Sequence, residues 1–330
     1  MPKVSVIIPV YGVERYIERC AISLFEQTLD DIEYLFINDC TTDSSIDILK
    51  QVLDKYPNRK ALAKIINMPK NSGQAAVREL GIKLASGEYI IHCDSDDWIE
   101  TDMYKSMYDK AIETYSDIVV CDYNKSESPS KFEYIHTPIP LEKNRFINGM
   151  LDGSIPAFLC NKLIKSSLHK HIQYYPQDNY TEDMVITTQL VYYAKRISYI
   201  YKGFYHYYTN PESISQKYID EYHALRMGKQ CYNNFNIIYR FLSFKPDFAY
   251  FESNIALRKC RIKLFLRNIC RTKGGTKRWR EIFPELTLFS VFRYHLPIRT
   301  KIGYIITYIG LYSCLKTLDK NRVDAIMCEN

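Results

Sequence analysis

No segment of the sequence repeats another, and no tract is of low complexity. The ten cysteines stand singly, none in a CxxC or CxxH spacing, which argues against a zinc site of ordinary ligand spacing. Several lie in apolar runs and are expected as reduced, buried thiols. No GxGxxG follows the first apolar run, where Pro9-Val10-Tyr11-Gly12-Val13-Glu14 stands instead. Its absence disfavours a dinucleotide dehydrogenase. The missing Gly-rich, Arg- and Lys-bearing loop disfavours a nucleotidylyltransferase. The most membrane-like stretch, Ile302 to Cys314, is ~13 residues with several tyrosines, short of the ~18–20 that a bilayer span needs. The opening MPKVSVIIPVYGVERY is one short apolar run broken by Pro9 and then by charge, without secretory character. A cytoplasmic location is expected.

What is present suits a folded chain of about two domains' length. Of the 330 residues, 46% are hydrophobic, 25% charged and 14% aromatic, which excludes a disordered or collagen-like chain. Tyrosine is abundant, with 29 copies, and suits half-wet surfaces where a ring packs and a hydroxyl reaches water or ligand. The net charge of +6 conceals a division: residues 1–215 carry −6 and residues 216–330 carry +12. A basic C-terminal third points to an anionic partner or to a solvated helical face.

The first 125 residues alternate between two hydrophobic periods. Lys3–Val10, Glu33–Asn38, Ala63–Asn67, Glu88–Cys93 and Asp117–Asp122 read as buried strands, and Glu14–Glu26, Asp43–Leu53 and Gln74–Leu84 as amphipathic helices. Ser86-Gly87 is expected to cap the last helix. Strand and helix in alternation predict an α/β fold, a mostly parallel sheet with helices on both faces. Ser126 to Pro140 reads as a loop, Ser198–Tyr201 and Phe204–Tyr208 as two short strands, and the chain after Gln216 as basic helix.

Ligands of such sheets bind beyond the C-terminal strand ends. Asp39 follows the second strand, and Asp94-Ser95-Asp96-Asp97 follows the fourth. Three carboxylates within four residues repel, so the turn either holds a hard divalent cation through oxygen or is a surface acidic turn and helix N-cap.

SVIIPVYGVERYIERCAISLFEQT, LFINDCTTDSS and NSGQAAVRELGIKLASGEYIIHCDSDDWI stand in the order and spacing that resemble glycosyltransferase family 2, whose fold is GT-A. A fourth block, Asn179-Tyr180-Thr181-Glu182-Asp183-Met184, resembles the family's Glu-Asp motif and is followed by YHYYTNPESIS. The resemblance implies an inverting, metal-dependent enzyme. It would move a sugar from a nucleotide-sugar, most often a UDP-sugar, to a hydroxyl of a glycan or lipid-linked acceptor. It implies that Pro9, Tyr11 and Asp39 hold the base and that Asp94 reaches the ribose, with Asn71, Ser95 and Asp96 also among the nucleotide-binding residues. Asp96, with Asp94, would ligate Mn²⁺ or Mg²⁺, with Asp97 in competition. Asp183 would be the general base, with Glu182 the second candidate. His206 would complete the metal set in some relatives, whereas a lone His in an aromatic strand also reads as a packing residue. Lys162 reads as a contact to phosphate or to acceptor charge, or as a surface ion pair, and His92 as structural. Two departures stand out: Glu79 replaces the family's usual Asn, and Gly12 stands where Asn is common.

The chemistry explains the residue types. An attacking hydroxyl needs a carboxylate to take its proton, and the departing diphosphate needs a cation to stabilise its charge. The expected organisation is a nucleotide-sugar half over 1–125, an acceptor and catalytic-base half over 126–215, and a basic helical region over 216–330. Arg258 to Arg280, with Leu264, Phe265, Leu266 and Trp279 interleaved, reads as a basic amphipathic stretch. It suggests peripheral contact with an anionic membrane. Nucleic acid is not an expected partner, since no recognition module is present. The non-enzyme alternative is a catalytically silent nucleotide- or membrane-binding subunit of a polysaccharide assembly system.

Overall fold

Val4–Val10 (β1) is apolar at almost every position because it lies in the middle of a sheet, with neighbours on both edges and helices over both faces. It pairs in parallel with Ile32–Asn38 (β2) along its whole length, and β2 pairs in parallel with Ala63–Asn67 (β3). On its other edge it pairs with Tyr89–His92 (β4) from Val4 only as far as Ile7. Pro9 explains the early end of that ladder. Its missing N–H cannot continue the bonds toward β4, so the two strands part and a crevice opens where the chain order reverses. The computed structural model describes residues 1–210 and 221–314.

Beyond β4 the sheet becomes mixed. Trp98–Ile99 (β5), Ile118–Ser128 (β6), Lys131–Ile135 (β7), Lys162–Lys165 (β8) and Ile197–Tyr208 (β9) complete nine strands in the order β3-β2-β1-β4-β8-β6-β9-β5, with β7 paired to β6. The crossovers are Ile17–Phe25 (α1), Ser45–Lys55 (α2), the single turn Pro57–Lys60 (α3), Gln74–Leu84 (α4) and Met103–Thr114 (α5). Lys143–Asp152 (α6) and Glu182–Tyr193 (α7) follow. The core on one face gathers Val6, Ile8, Leu24, Tyr34, Phe36, Leu49, Met107 and Phe204, all fully buried or nearly so. Each such aliphatic or Phe side chain contributes about 1.5–3 kcal/mol.

Three expectations are corrected. The loop foreseen over Ser126–Pro140 is in part a hairpin, since β6 runs to Ser128 and turns at Pro129-Ser130 into β7. β7 is an edge strand exposed along nearly all its length, so it carries no buried alternation to read. The two aromatic strands are one, β9, interrupted by an irregularity where Ile200 pairs with Cys121 and Gly203 with Asp122. Gly87 is not a helix cap: α4 ends at an extended Ala85. Gly87 instead lets the chain pass β1 closely, for a Cβ there would lie 2.7 Å from the Ser5 backbone nitrogen.

The chain divides into two compact units, Met1–Phe146 with Ala157–Lys217, which holds the sheet, and Ile147–Pro156 with Tyr218–Asn330. The second contains Glu221–Ser243 (α8), Glu252–Phe265 (α9), Gly275–Glu281 (α10), Ser290–Arg293 (α11) and Ile298–Tyr308 (α12). Its core includes Phe235, Phe241, Trp279, Phe283 and Tyr304. The basic stretch is not one amphipathic face. Lys263 is fully buried, 4.5 Å from the Trp279 ring centre, and burial lowers its pKa to about 8. Lys259 is buried and pairs with Glu285 at 2.6 Å, and Trp279 donates its indole N–H to the Lys263 carbonyl at 2.6 Å. No helix among the described residues is long and apolar enough to cross a membrane. Eight cysteines from Cys20 to Cys270 are free thiols, most of them buried, whereas Cys328 and the Pro211–Ser215 end of the fourth sequence block lie outside the described residues.

Gly87→Ala should destabilise by roughly 1–3 kcal/mol, because the contact is with backbone that cannot turn aside. Melting should fall by about 2–4 °C per kcal/mol. Gly303→Ala, whose new Cβ meets nothing closer than 3.6 Å within a helix, should not lower it, and equal melting of both variants would refute the close-approach account.

Candidate active site

The loops after β1 and β2 knit together at the crevice. Gly12, at φ +67°, donates its N–H to Thr41 Oγ1 at 2.9 Å, and Val13 and Glu14 donate to Ser45 Oγ and to Asp43. Cys40 is left-handed at φ +56°, immediately after Asp39, a conformation that a non-glycine residue keeps only when its surroundings enforce it. The Asp39 carboxylate accepts the backbone N–H of Ser72 at 2.7 Å and of Gly73 at 2.8 Å. The structure therefore brings Asp39, itself buried, to the Asn71–Gly73 loop ahead of α4. Tyr11, directly after β1, is about half exposed.

The acidic turn separates its carboxylates into different surroundings. Asp94 Oδ1 accepts from Arg78 at 2.9 Å and from Gln74 at 3.2 Å, both on α4. Ser95 is buried beside it. Asp96 accepts from Asn210 Nδ2 at 3.1 Å, and its pKa is raised by burial and by the Asp94 charge. Asp97 turns inward. The Tyr205 hydroxyl donates to it at 2.5 Å and the Tyr208 N–H at 2.7 Å, and burial holds its pKa well above the carboxylate range. Asp97 thus fastens the turn to β9, which sets it apart from Asp94 and Asp96. Arg19 lies 3.8 Å over the Trp98 ring and donates to the Asp96 carbonyl at 2.8 Å.

At the start of α7, Thr181 is left-handed at φ +66° and sends Glu182 and Asp183 into the first turn. Glu182 is buried, with Oε1 3.4 Å from Arg78 Nε. Burial and the neighbouring Asp183 charge push its pKa from 4.5 to about 8, against the pull of Arg78. Asp183 is part-buried. Burial raises its pKa, while Arg78, the Met184 N–H at 2.7 Å and Lys162 oppose that. Lys162 is fully buried, not a surface residue, and donates to Phe158 O at 2.7 Å and Asn161 Oδ1 at 2.9 Å. Burial lowers its pKa to about 8. Asn179 accepts the Ala75 N–H at 3.1 Å and crowds Gly73, whose φ of +84° and 2.6 Å clearance admit no side chain.

The model of the family described as Glycosyl transferase family 2 matches residues 5–172, just over half of the chain. The chain belongs to glycosyl transferase family 2. It is similar to the glycosyltransferase EpsH of Bacillus subtilis, with 34% identity over 66% of this chain and 64% of that protein. It is similar also to the poly(ribitol-phosphate) beta-glucosyltransferase of Bacillus spizizenii, with 33% identity over 59% of this chain and 30% of that protein. The chain thus spans less than two thirds of either relative's length. S. aureus TarS 1-349 in complex with UDP superposes with a TM-score of 0.66 at 20% identity, over 96% of this chain and 94% of that one. The fold is GT-A.

Within this family 2 chain, His206 is buried away from open solvent. Its Nε2 lies 2.8 Å from Glu100 Oε1, its Nδ1 lies 3.0 Å from Ser126 Oγ, and its ring stacks on Trp98 at 4.9 Å. Both ring nitrogens are thus within hydrogen-bond distance of protein side chains. His92, fully enclosed, has its pKa well below the ordinary range through burial, and so stays neutral. No group of three His, Cys, Asp or Glu side chains among the described residues forms a protein-only metal cage. Asp94 with Asp96 nevertheless fits a Mg²⁺-like ion, which commonly takes one or two carboxylates and completes its shell with phosphate oxygens and water. The raised pKa of Asp96 marks a negative charge that such an ion would relieve.

Several contributors were not singled out from sequence. Arg78 matched the family block but had no stated role; Gln74, Asn179, Asn210 and Tyr205 were not weighed. Their partners lie from 16 to 114 residues away in the chain, and the early signal for each is only its place within a quoted sequence block.

Glu182 generates a test of this arrangement. Its pKa is raised in the fold, so the native state keeps a proton that the unfolded chain releases. That contribution is full below about pH 4.5 and is lost as pH rises toward 8. Glu182→Gln should therefore lose less stability than the parent between about pH 5 and pH 8 in urea denaturation. Parallel pH profiles would show the carboxyl already ionised in the fold.

Proposed function

We propose that this family 2 chain is an inverting, divalent-cation-assisted glycosyltransferase. It moves a sugar from a nucleotide-sugar, specifically a UDP-sugar, to a hydroxyl of a glycan or lipid-linked acceptor in cell-surface polysaccharide synthesis. One observation carries the reading: buried Arg78 pairs at once with Asp94 of the acidic turn and with Glu182 beside Asp183. A donor-side carboxylate and a base-side helix thereby meet across one guanidinium. The names of the relatives, one a glycosyltransferase and one a poly(ribitol-phosphate) beta-glucosyltransferase, support the same class.

In this reading Pro9, Tyr11 and Asp39 hold the base, Asp94 reaches the ribose, and Asn71 and Ser95 belong to the same nucleotide site. Asp96 with Asp94 holds Mn²⁺ or Mg²⁺, which supplies positive charge to the departing diphosphate. Asp183 takes the proton of the attacking hydroxyl. Its raised pKa brings its basicity closer to neutral pH, where proton transfer is efficient. Glu182, buried against Arg78 with its pKa pushed up to about 8, is largely protonated at neutral pH and is therefore the second candidate for base. A single displacement with one base and no protein nucleophile inverts the anomeric centre. Residues 1–125 serve the donor, 126–215 the acceptor and base, and 216–330 form a basic helical region whose division at 215 lies outside the described residues. The enzyme works on the cytoplasmic side. Exposed Arg271, Lys273 and Lys277, not the buried Lys259 and Lys263, would carry any contact with anionic lipid.

Asp183→Asn should lower transfer by about 10²–10⁴-fold while UDP binding stays within about twofold of the parent. Undiminished transfer would remove Asp183 from the role of base. Asp96→Ala should weaken UDP binding in Mn²⁺ and leave binding in EDTA unchanged, by thermal shift. The same loss in both conditions would place the cation elsewhere.

A further inference from the structure

A second feature of the sheet unit lies at the opposite end of β9 from the acidic turn. The irregularity in β9 removes Tyr201 and Lys202 from the ladder with β6, and such bulges re-aim the side chains they release. Tyr201 turns outward and is 76% exposed, yet it is not loose. Its ring lies 4.6 Å from Tyr199, edge to face, and 5.6 Å from His136. Those two are fastened in turn by buried Asp122, which accepts from the Tyr199 and Tyr134 hydroxyls and the Thr137 N–H, with His136 Nδ1 at 3.1 Å. An exposed aromatic face is thus fixed by a hidden carboxylate.

This face borders an open groove of about 510 Å³ between β9 and α5, lined by Tyr199, Ile200 and Tyr201 on one side and Ser106, Asp109, Lys110 and Glu113 on the other. Charge on the helical wall is balanced locally, with Lys110 3.0 Å from Glu113 and Lys105 2.5 Å from Asp109. A polyanion finds no net attraction there. An uncharged, hydroxyl-rich ligand finds flat rings for its C–H faces and carboxylate oxygens for its hydroxyl protons. From Tyr201 to His206 is about five residues, roughly 17 Å of strand, so the groove is separate from the crevice of Asp94 and Asp183.

We infer that the α5–β9 groove binds a neutral saccharide segment of the acceptor glycan, with Tyr201 as its stacking platform. The inference rests on the glycosyltransferase reading for the identity of that glycan, and on the groove alone for its chemistry. The test is isothermal titration of maltopentaose, cellopentaose and chitopentaose, with dextran sulfate as the anionic comparison, against the full chain and its Tyr201→Ala and Tyr201→Trp variants. UDP with Mn²⁺ is titrated in parallel. At least one neutral pentasaccharide should bind, at least tenfold more weakly to Tyr201→Ala and near parent affinity to Tyr201→Trp, with UDP affinity equal in all three. Failure of every pentasaccharide, binding indifferent to Tyr201→Ala, or preference for dextran sulfate overturns the inference. Pentasaccharide binding without UDP binding sustains the groove and counts against the donor reading instead.

Discussion

Arg78 is the constraint on which the crevice depends. It stands on α4, almost wholly buried, and its guanidinium meets Asp94 on one side and Glu182 on the other. The attraction of these carboxylates outweighs the desolvation of the guanidinium, so its pKa is raised and not lowered. Removing one partner from such an arrangement typically leaves an uncompensated buried charge and costs about 3–5 kcal/mol. The consequence is positional as much as energetic. Three segments distant in sequence, α4, the turn after β4 and the first turn of α7, are held at one point, and each brings its neighbours with it. Gln74 comes with α4, Asp96 with the turn and Asp183 with α7.

Backbone geometry around this point is unusual where the site needs it. Pro9 ends the bonds between β1 and β4, which frees the strand ends to part. Cys40 and Thr181 adopt left-handed conformations one residue from Asp39 and Glu182, respectively. Each such residue costs on the order of 1–3 kcal/mol and persists only when its neighbours over-determine it. The Ser72 and Gly73 amides on Asp39, and Asn179 packed on Gly73, supply that determination. Of the four left-handed non-glycine residues among the described residues, Cys40 and Thr181 thus adjoin carboxylates of the crevice, while Tyr115 and Phe283 lie elsewhere.

The parallel half of the sheet was legible in the sequence for a physical reason. Strands buried on both faces write continuous apolar runs, and Val4–Val10 and Ile32–Asn38 fall within a residue of where those runs predict. β7 was not legible, because an exposed edge strand of charged and aromatic residues has no period tied to burial. Asp94, Asp96 and Asp97 were legible as a group and not as individuals. Spacing cannot tell that Tyr205 and Tyr208, more than a hundred residues on, would draw Asp97 inward. Arg78 was visible as a motif letter, but its role follows from two partners that the linear order keeps apart. The basic C-terminal stretch misled in the other direction, since its charges at Lys259 and Lys263 face a core of rings.

The balance of charge in the crevice bears on how donor and cation would bind. Asp94, Asp96, Asp97, Glu182 and Asp183 converge there, faced by Arg78, with Arg19 and Lys162 bearing on its edges. The surplus is negative, and the protein relieves part of it by favouring the protonated carboxyls: burial pushes Glu182 up to about 8 and holds Asp97 well above its ordinary range. A diphosphate entering alone would add charge of the same sign and be repelled. A divalent cation entering alone would find two carboxylates and an incomplete shell. Each supplies what the other lacks, since phosphate oxygens complete the shell and the cation reverses the local charge. On the proposed reading, mutual dependence of nucleotide and cation is therefore a consequence of electrostatics at Asp94 and Asp96, and by linkage each must raise the affinity for the other by the same factor.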